Sequence, residues 1–264
     1  MLRNIFCIFT IAFFTVFLFP VAVLTLLLTL SGDASMWWCQ RVWAPLMIFA
    51  SGAKIQIVGG AEHLDPKRPV IFLSNHQSTL DIPVLFITLW PVRVRMVAKK
   101  VVKYVPFLGW YIWLAGFVFI NRGIKREAIQ SLDEAAEKIR KGTSILLYAE
   151  GTRSETGEVL PFKKGPFMLA LKAKVPVIPV TIVGTEVVMP KNSWNITPAP
   201  VKVKIGAPID PTKFGDDRDA LMKAVRDVVI DQSIELGGKG GDKNRVLARS
   251  RDDAGSGQQS EASA

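Results

Sequence analysis

The longest apolar stretch of the chain comes first. Residues 5–30 run IFCIFTIAFFTVFLFPVAVLTLLLTL without a charged side chain. At about 1.5 Å per residue, a helix of that length exceeds a hydrocarbon core of roughly 30 Å, so the pattern predicts a membrane segment. A secretory signal fits less well, because only Arg3 precedes the run and the run outlasts a signal's apolar core of roughly 7–15 residues. Residues 36–51 (MWWCQRVWAPLMIFAS) follow, with Trp37, Trp38 and Trp43 and a single charge at Arg41. Tryptophan favours the membrane–water boundary, so this stretch reads as an interfacial or re-entrant helix pairing with the first. The expectation is a two-helix membrane anchor over residues 1–53, turning at Ser-Gly-Asp (31–33).

From residue 54 the pattern changes to short apolar runs that read as strands: 55–58, 69–74, 92–98, 116–120, 144–149, 177–183 and 201–205. Helical periodicity separates several of them. In residues 127–141, Ile129, Leu132, Ala136 and Ile139 recur every three or four positions, and Gly142 supplies a stop. Residues 217–236 carry Leu221, Val225, Val228 and Val229 in the same manner. Strands alternating with helices predict an α/β domain over residues 54–236, with a central, largely parallel sheet covered by helices. Residues 104–121 are uncharged and long enough to span a bilayer, but Gly109 and Gly116 interrupt them. They read as a short helix at 107–114 followed by a strand, with Trp110, Tyr111 and Trp113 buried or dipping into the membrane interface. Residues 237–264, rich in Gly, Ser, Gln and alternating charge, are predicted to be a disordered tail.

Composition sharpens this picture. A 49% hydrophobic content and a mean hydropathy of +0.27 exclude a disordered or collagen-like chain. The net charge is +10, and residues 31–236 hold 27 basic against 19 acidic side chains. A basic surface beside a membrane segment points to anionic membrane lipids or a phosphorylated substrate. No zinc-finger spacing, RNP-like string or basic helix points to nucleic acid. The two cysteines, Cys7 and Cys39, lie in or beside the apolar N-terminus and form neither a disulfide framework nor a metal site, so no metal or cofactor is expected.

The candidate chemistry sits just past predicted strands, where α/β sheets place ligands. Asn75-His76-Gln77-Ser78-Thr79-Leu80-Asp81 follows the run ending at Ser74. On one continuous helix, positions five apart lie about 140° from each other, so His76 must precede the helix for Asp81 to reach it. Two readings stay open. With Ser78 as N-cap, Asp81 reaches back to hold one imidazole nitrogen protonated and leaves the other as a general base. Alternatively, Ser-x-x-Asp is a plain capping box and His76 fills a loop. His63, in a turn-rich segment, reads as an exposed loop residue. Glu150-Gly151-Thr152-Arg153 follows another apolar run, and its arginine and glutamate suit a phosphate and a hydroxyl. Lys163 and Lys164 add cations ahead of a helix start, which itself attracts anions. Arg122 leaves the strand 116–120, and Lys99 and Lys100 end a different strand and could join it.

NHQSTLD (75–81), GFVFINR (116–122), EGTR (150–153) and VPVIPV (175–180) occur in the order, and at roughly the spacing, of four sequence blocks of the glycerolipid acyltransferase family. Over about residues 54–206 the chain resembles that family, above all its bacterial-type lysophosphatidic acid acyltransferases. The resemblance implies transfer of a fatty acyl group from acyl-CoA or acyl carrier protein to the free hydroxyl of 1-acyl-glycerol-3-phosphate. The product would be phosphatidic acid for phospholipid biosynthesis. It implies that His76 is the base and Asp81 its orienter, and that Arg122, Glu150 and Arg153 bind the acceptor. Asn75, Gly151 and Thr152 fall in the same blocks, and Lys100, Lys163 and Lys164 complete the expected binding set. Ala149 stands where many members have proline and Asn121 where aspartate is common, which leaves the lysolipid acceptor open. Base and phosphate grip must share one pocket, so residues 104–121 should not cross the membrane. An N-terminal hairpin returning to its starting side would keep the domain on the cytoplasmic face of the cell inner membrane with its acyl donor. Two rival readings are a serine-type hydrolase using Ser74 or Ser78, for which the Gly-x-Ser-x-Gly elbow is missing, and a membrane-tethered module that only binds acidic lipid.

Overall fold

The computed structural model describes residues 2–105, 108–120, 125–193 and 195–244. All seven apolar runs form strands: β1 (Lys54–Ile57), β2 (Ile71–Ser74), β3 (Val94–Lys99), β4 (Val118–Ile120), β5 (Ser144–Tyr148), β6 (Val177–Val183) and β7 (Pro200–Ile205). They make one sheet in the order β1-β7-β6-β2-β5-β3-β4. Every neighbouring pair is parallel except β6 with β7, so the sheet is mixed. The central strand β2 is buried along its whole length, as expected of a parallel strand covered on both faces.

Alternation along the strands sorts side chains into two layers. Ile71, Leu73, Ile145, Leu147 and Val177 pack against α6 (Lys125–Arg140), α7 (Lys164–Ala173) and α9 (Arg218–Glu235). Phe72, Leu146, Ile178 and Val180 face the opposite way, onto α4 (Asp81–Thr88) and the N-terminal helices. The predicted helices at 127–141 and 217–236 correspond to α6 and α9, and Asp217 caps α9 by accepting from the Ala220 amide at 2.9 Å.

At the N-terminus, α1 (Leu2–Thr29) continues as one helix through Pro20. A second helical run follows as α2 (Gly32–Trp38), a π-type turn (Cys39–Trp43) and α3 (Ala44–Ser51). The π turn has a local cause: Pro45 has no amide proton, and its ring crowds the carbonyl one turn back, which widening relieves. Among the described residues, α1 alone is long and apolar enough to cross a membrane, so the expected two-helix anchor is met only by its first helix on that criterion.

Both helices dock on the domain. Cys7, Met36, Ala44 and Ile48 share a core cluster with Val84, Leu85 and Phe86 of α4. Ala22 and Leu26 of α1 pack with Tyr111 and Ala115, in and just after α5 (Leu108–Leu114). Polar pins fix the register. The buried Arg95 guanidinium donates to Asp33 at 2.6 Å and to the Ala115 carbonyl at 2.5 Å. Ser35 and Tyr111 hydroxyls lie 2.6 Å apart, and Gln40 Nε2 donates to the carbonyls of Phe86 and Val92. The outer face of α1, with Phe6, Phe9, Phe13, Phe17 and Leu28, is exposed.

Residues 104–121 do not form a span: α5 and β4 occupy the described part, with Tyr111 buried and Trp110 and Trp113 half exposed. Residues 237–244, within the stretch expected to be a disordered tail, pack on the domain. The Val159 amide donates to Gly240 O at 2.7 Å, and Arg226 donates to Asp242 O at 2.7 Å. Residues 245–264 lie outside the described residues. Because Asp33 is the carboxylate facing the buried Arg95 charge, Asp33→Ala is expected to cost about 1–2 kcal/mol, read as a lowered Tm. An unchanged Tm would show that the pin contributes nothing.

Candidate active site

Strands β5 and β6 flank β2, with Ser74 in register with Tyr148 on one side and Val180 on the other. The segments leaving these three strands meet at one end of the sheet. Residues 75–80 turn back there into α4, whose first residue is Asp81. His76 Nδ1–H donates to Asp81 Oδ2 at 2.7 Å. The same oxygen accepts the amides of Gln77 at 2.7 Å and Ser78 at 3.0 Å, while Oδ1 accepts the Thr185 hydroxyl. Ser78 is not the N-cap: α4 starts at Asp81, with Leu80 at its N-cap and no side-chain cap, so Asp81 instead gathers the amides of the preceding loop on the carboxylate that orients the imidazole. With both carboxylate oxygens accepting, the proton on the ring is assigned to Nδ1, and Nε2 is left as a lone-pair acceptor. Asp81 is fully buried and the His76 side chain is 17% exposed, so the imidazole reaches solvent while its carboxylate partner does not.

Hydrogen bonds stitch the neighbouring loop to this one. The His76 amide donates to Glu150 Oε1 at 3.4 Å, and its carbonyl accepts from the Ser154 amide at 2.7 Å. Gln77 Nε2 donates to Gly157 O, and Arg153 donates to the Thr79 hydroxyl at 2.8 Å. Arg153 thus lies across the mouth of the site, flanked by the exposed Gly151 and Thr152. Lys163 is exposed and lines a largely apolar cavity of about 440 Å³ together with Tyr148, Gly151, Leu147, Ile129 and Met168.

Other expected members take different positions. Asn75 is buried, and its amide side chain is closed onto the main chain of β6, donating to Ile182 O at 2.8 Å and accepting from Ile182 N at 2.9 Å. Glu150 is 1% exposed and turned inward under the His76 loop, so its carboxyl braces the loop and is not offered to a ligand. Burial pushes that carboxyl up to about 9, against the opposing hydrogen bonds from His76 and Leu160, so it carries its proton at neutral pH. Lys164 opens α7 and lies near Asp219 at the start of α9. Lys100 lines a separate polar cavity of about 370 Å³ with Lys103, Glu134 and Lys138, beyond β4. Arg122 lies outside the described residues.

Two further features bear on chemistry. Ser78 Oγ donates to Met189 O and Ser74 Oγ is buried, and neither bonds His76, so neither of these two serines is paired with the imidazole as a nucleophile. The amides of Gln77, Ser78, Leu80 and Asp81 already have acceptors, which removes most of the helix start as an oxyanion site and leaves the Thr79 amide. Two functional neighbours escaped the linear reading. Thr185 follows Gly184, whose φ of +101° and close approach to Pro200 O admit no side chain, and this turn delivers the hydroxyl to Asp81. A Gly-Thr pair directly after an apolar strand, as at Gly151-Thr152, was the available signal. The other neighbour, Tyr148, stacks under the imidazole.

A family model described as acyltransferase matches residues 55–183. The 1-acyl-sn-glycerol-3-phosphate acyltransferase of Saccharomyces cerevisiae is 36% identical over 221 residues, covering 81% of this chain and 72% of its own. The alpha enzyme of the same name from Homo sapiens is 33% identical over 70% of this chain and 66% of its own. The crystal structure of the 1-acyl-sn-glycerophosphate acyltransferase PlsC from Thermotoga maritima aligns with a TM-score of 0.77 and 29% identity, over 89% of this chain and 97% of that one.

The buried Glu150 predicts a pH signature. A carboxyl raised from 4.5 to about 9 on folding favours the native state fully below the lower value and loses that contribution as pH climbs through the upper one. Glu150→Gln, which keeps the neutral shape, should therefore raise Tm relative to the parent more at pH 8.5 than at pH 5.5. Equal shifts at both pH values in thermal unfolding would show that the carboxyl does not titrate in this way.

Proposed function

The chain belongs to the acyltransferase family, and on that premise we propose that it acylates the free hydroxyl of 1-acyl-glycerol-3-phosphate, using a fatty acyl thioester, to form phosphatidic acid. The observation carrying this reading is the 2.7 Å contact between His76 Nδ1 and the buried Asp81 at the strand ends, with Arg153 at the same mouth. An alcohol is a poor nucleophile until a base takes its proton during attack, and general-base help of this kind contributes about 10²–10⁴-fold. Nε2 of His76 takes the hydroxyl proton while the oxygen bonds to the thioester carbonyl carbon. The tetrahedral intermediate collapses with cleavage of the carbon–sulfur bond, and the departing thiolate receives the proton from the imidazolium. Asp81 offsets the positive charge that forms on the ring in between. The thioester is already activated, so a covalent acyl-enzyme is not required.

Arg153 and Lys163 supply the cations for the acceptor phosphate, and the Arg153 guanidinium matches a phosphate's geometry. The apolar cavity between Tyr148, Gly151 and α7 is the place for an acyl chain. Acyl-CoA and acyl carrier protein both serve as chemically competent donors. The net charge of +10 favours anionic lipid, and the exposed aromatic face of α1 favours the bilayer itself. Cys7 near one end of α1 and Ala22 and Leu26 near the other all pack on the domain, so α1 lies alongside it. A perpendicular crossing would drag the domain into hydrocarbon. In this reading α1 and the run 32–51 form a two-helix anchor in the near leaflet, on the cytoplasmic face of the inner membrane where thioester donors are made.

His76→Ala should abolish acyl transfer from labelled acyl-CoA to 1-acyl-glycerol-3-phosphate while the variant still folds and binds vesicles, its Tm lowered by the donor that Asp81 loses; retained turnover would rule the mechanism out. Arg153→Ala should raise the acceptor KM by about 10-fold or more with a smaller change in kcat. If the parent chain binds vesicles yet yields no product with any lysolipid, a lipid-binding module is the correct description.

A further inference from the structure

We infer that Tyr148 is a positioning residue for the reaction, its ring stacked face to face on His76 to fix the plane of the imidazole and hence the direction of Nε2. This rests on the reading of His76 as the base. The ring centroids are 3.8 Å apart and the planes differ by 9°. The hydrogen bond from Nδ1 to Asp81 holds the imidazole at one point, and by itself it leaves the ring free to tilt about the Nδ1–Oδ2 line. A parallel aromatic face removes that freedom. The sheet sets the height of the support: Tyr148 is the last residue of β5 and is in register with Ser74, the last residue of β2, two positions before His76.

The ring, not the hydroxyl, carries this role. Tyr148 Oη is buried and has no hydrogen-bond partner among the described residues, so it contributes no bond and forfeits its hydration. Burial also pushes the phenol well above its ordinary range, which keeps it neutral beside the base. The remainder of the ring borders the apolar cavity together with Gly151 and Lys163, between the base and the place given to substrate. The electron-rich face is also turned toward the positive charge that develops on His76 as it takes the proton.

The test compares Tyr148→Phe, which keeps the ring, with Tyr148→Leu, which removes it and stays apolar. Two readouts separate the outcomes. The first is the split between kcat and acceptor KM. The second is the position of the His76 ring proton resonances, which stacking displaces upfield. The chain has only two histidines, so His63→Gln leaves His76 as the one imidazole signal. Tyr148→Phe should retain kcat within about twofold and keep the displaced resonances. Tyr148→Leu should lower kcat roughly 10- to 100-fold with KM nearly unchanged, and its His76 resonances should return toward free-imidazole positions. Tyr148→Met takes its place if the leucine variant does not fold. Parental kcat in the ring-less variants, equal damage from phenylalanine, or undisplaced resonances in the parent would each overturn the inference. Should His76→Ala remain active, the base reading fails instead, while the resonance positions still report whether the stack exists.

Discussion

The mouth of the sheet is organised around a buried negative group that has to be satisfied. Asp81 has no solvent contact, and a carboxylate in that position costs several kcal/mol unless donors surround it. Four donors do so: the imidazole of His76, the amides of Gln77 and Ser78, and the hydroxyl of Thr185. These groups come from the loop after β2 and the turn after β6, so the conformation of both is dictated by one side chain. Placing the His76 imidazole is then a consequence of solvating Asp81.

A second buried acid nearby meets the same problem differently. Glu150 receives fewer donors, and one of its oxygens has no partner among the described residues. It keeps its proton and serves as a neutral brace beneath the His76 amide. The carboxyl just after β5 and the carboxyl that opens α4 thus meet burial differently, the first with fewer donors than the second.

The N-terminal hairpin follows a related logic on a larger scale. Its apolar surface both packs on α4 and α5 and remains exposed outward, so hydrophobicity alone does not specify how it sits. Directional contacts do: Arg95 on Asp33, Tyr111 on Ser35, and Gln40 on two carbonyls. Each buries a polar group that is costly to leave unpaired, which defines one register out of many similar apolar ones.

What was legible along the chain is what depends on near neighbours. Strands buried on both faces read as continuous apolar runs, so all seven were visible, as were α6 and α9 through their three- and four-residue periodicity. The spacing from His76 to Asp81 was local too, and the contact formed as that spacing allows, although α4 starts at Asp81 and not behind a Ser78 cap. Strand order decided the remainder. The antiparallel β6–β7 pair, Thr185 reaching Asp81 across 104 residues, Tyr148 lying under His76, the inward turn of Glu150 and the diversion of Asn75 onto Ile182 all require particular strands to be adjacent. Periodicity tells a residue which face of its own element it occupies, but what stands opposite that face is set by long-range packing, and only the folded chain supplies it.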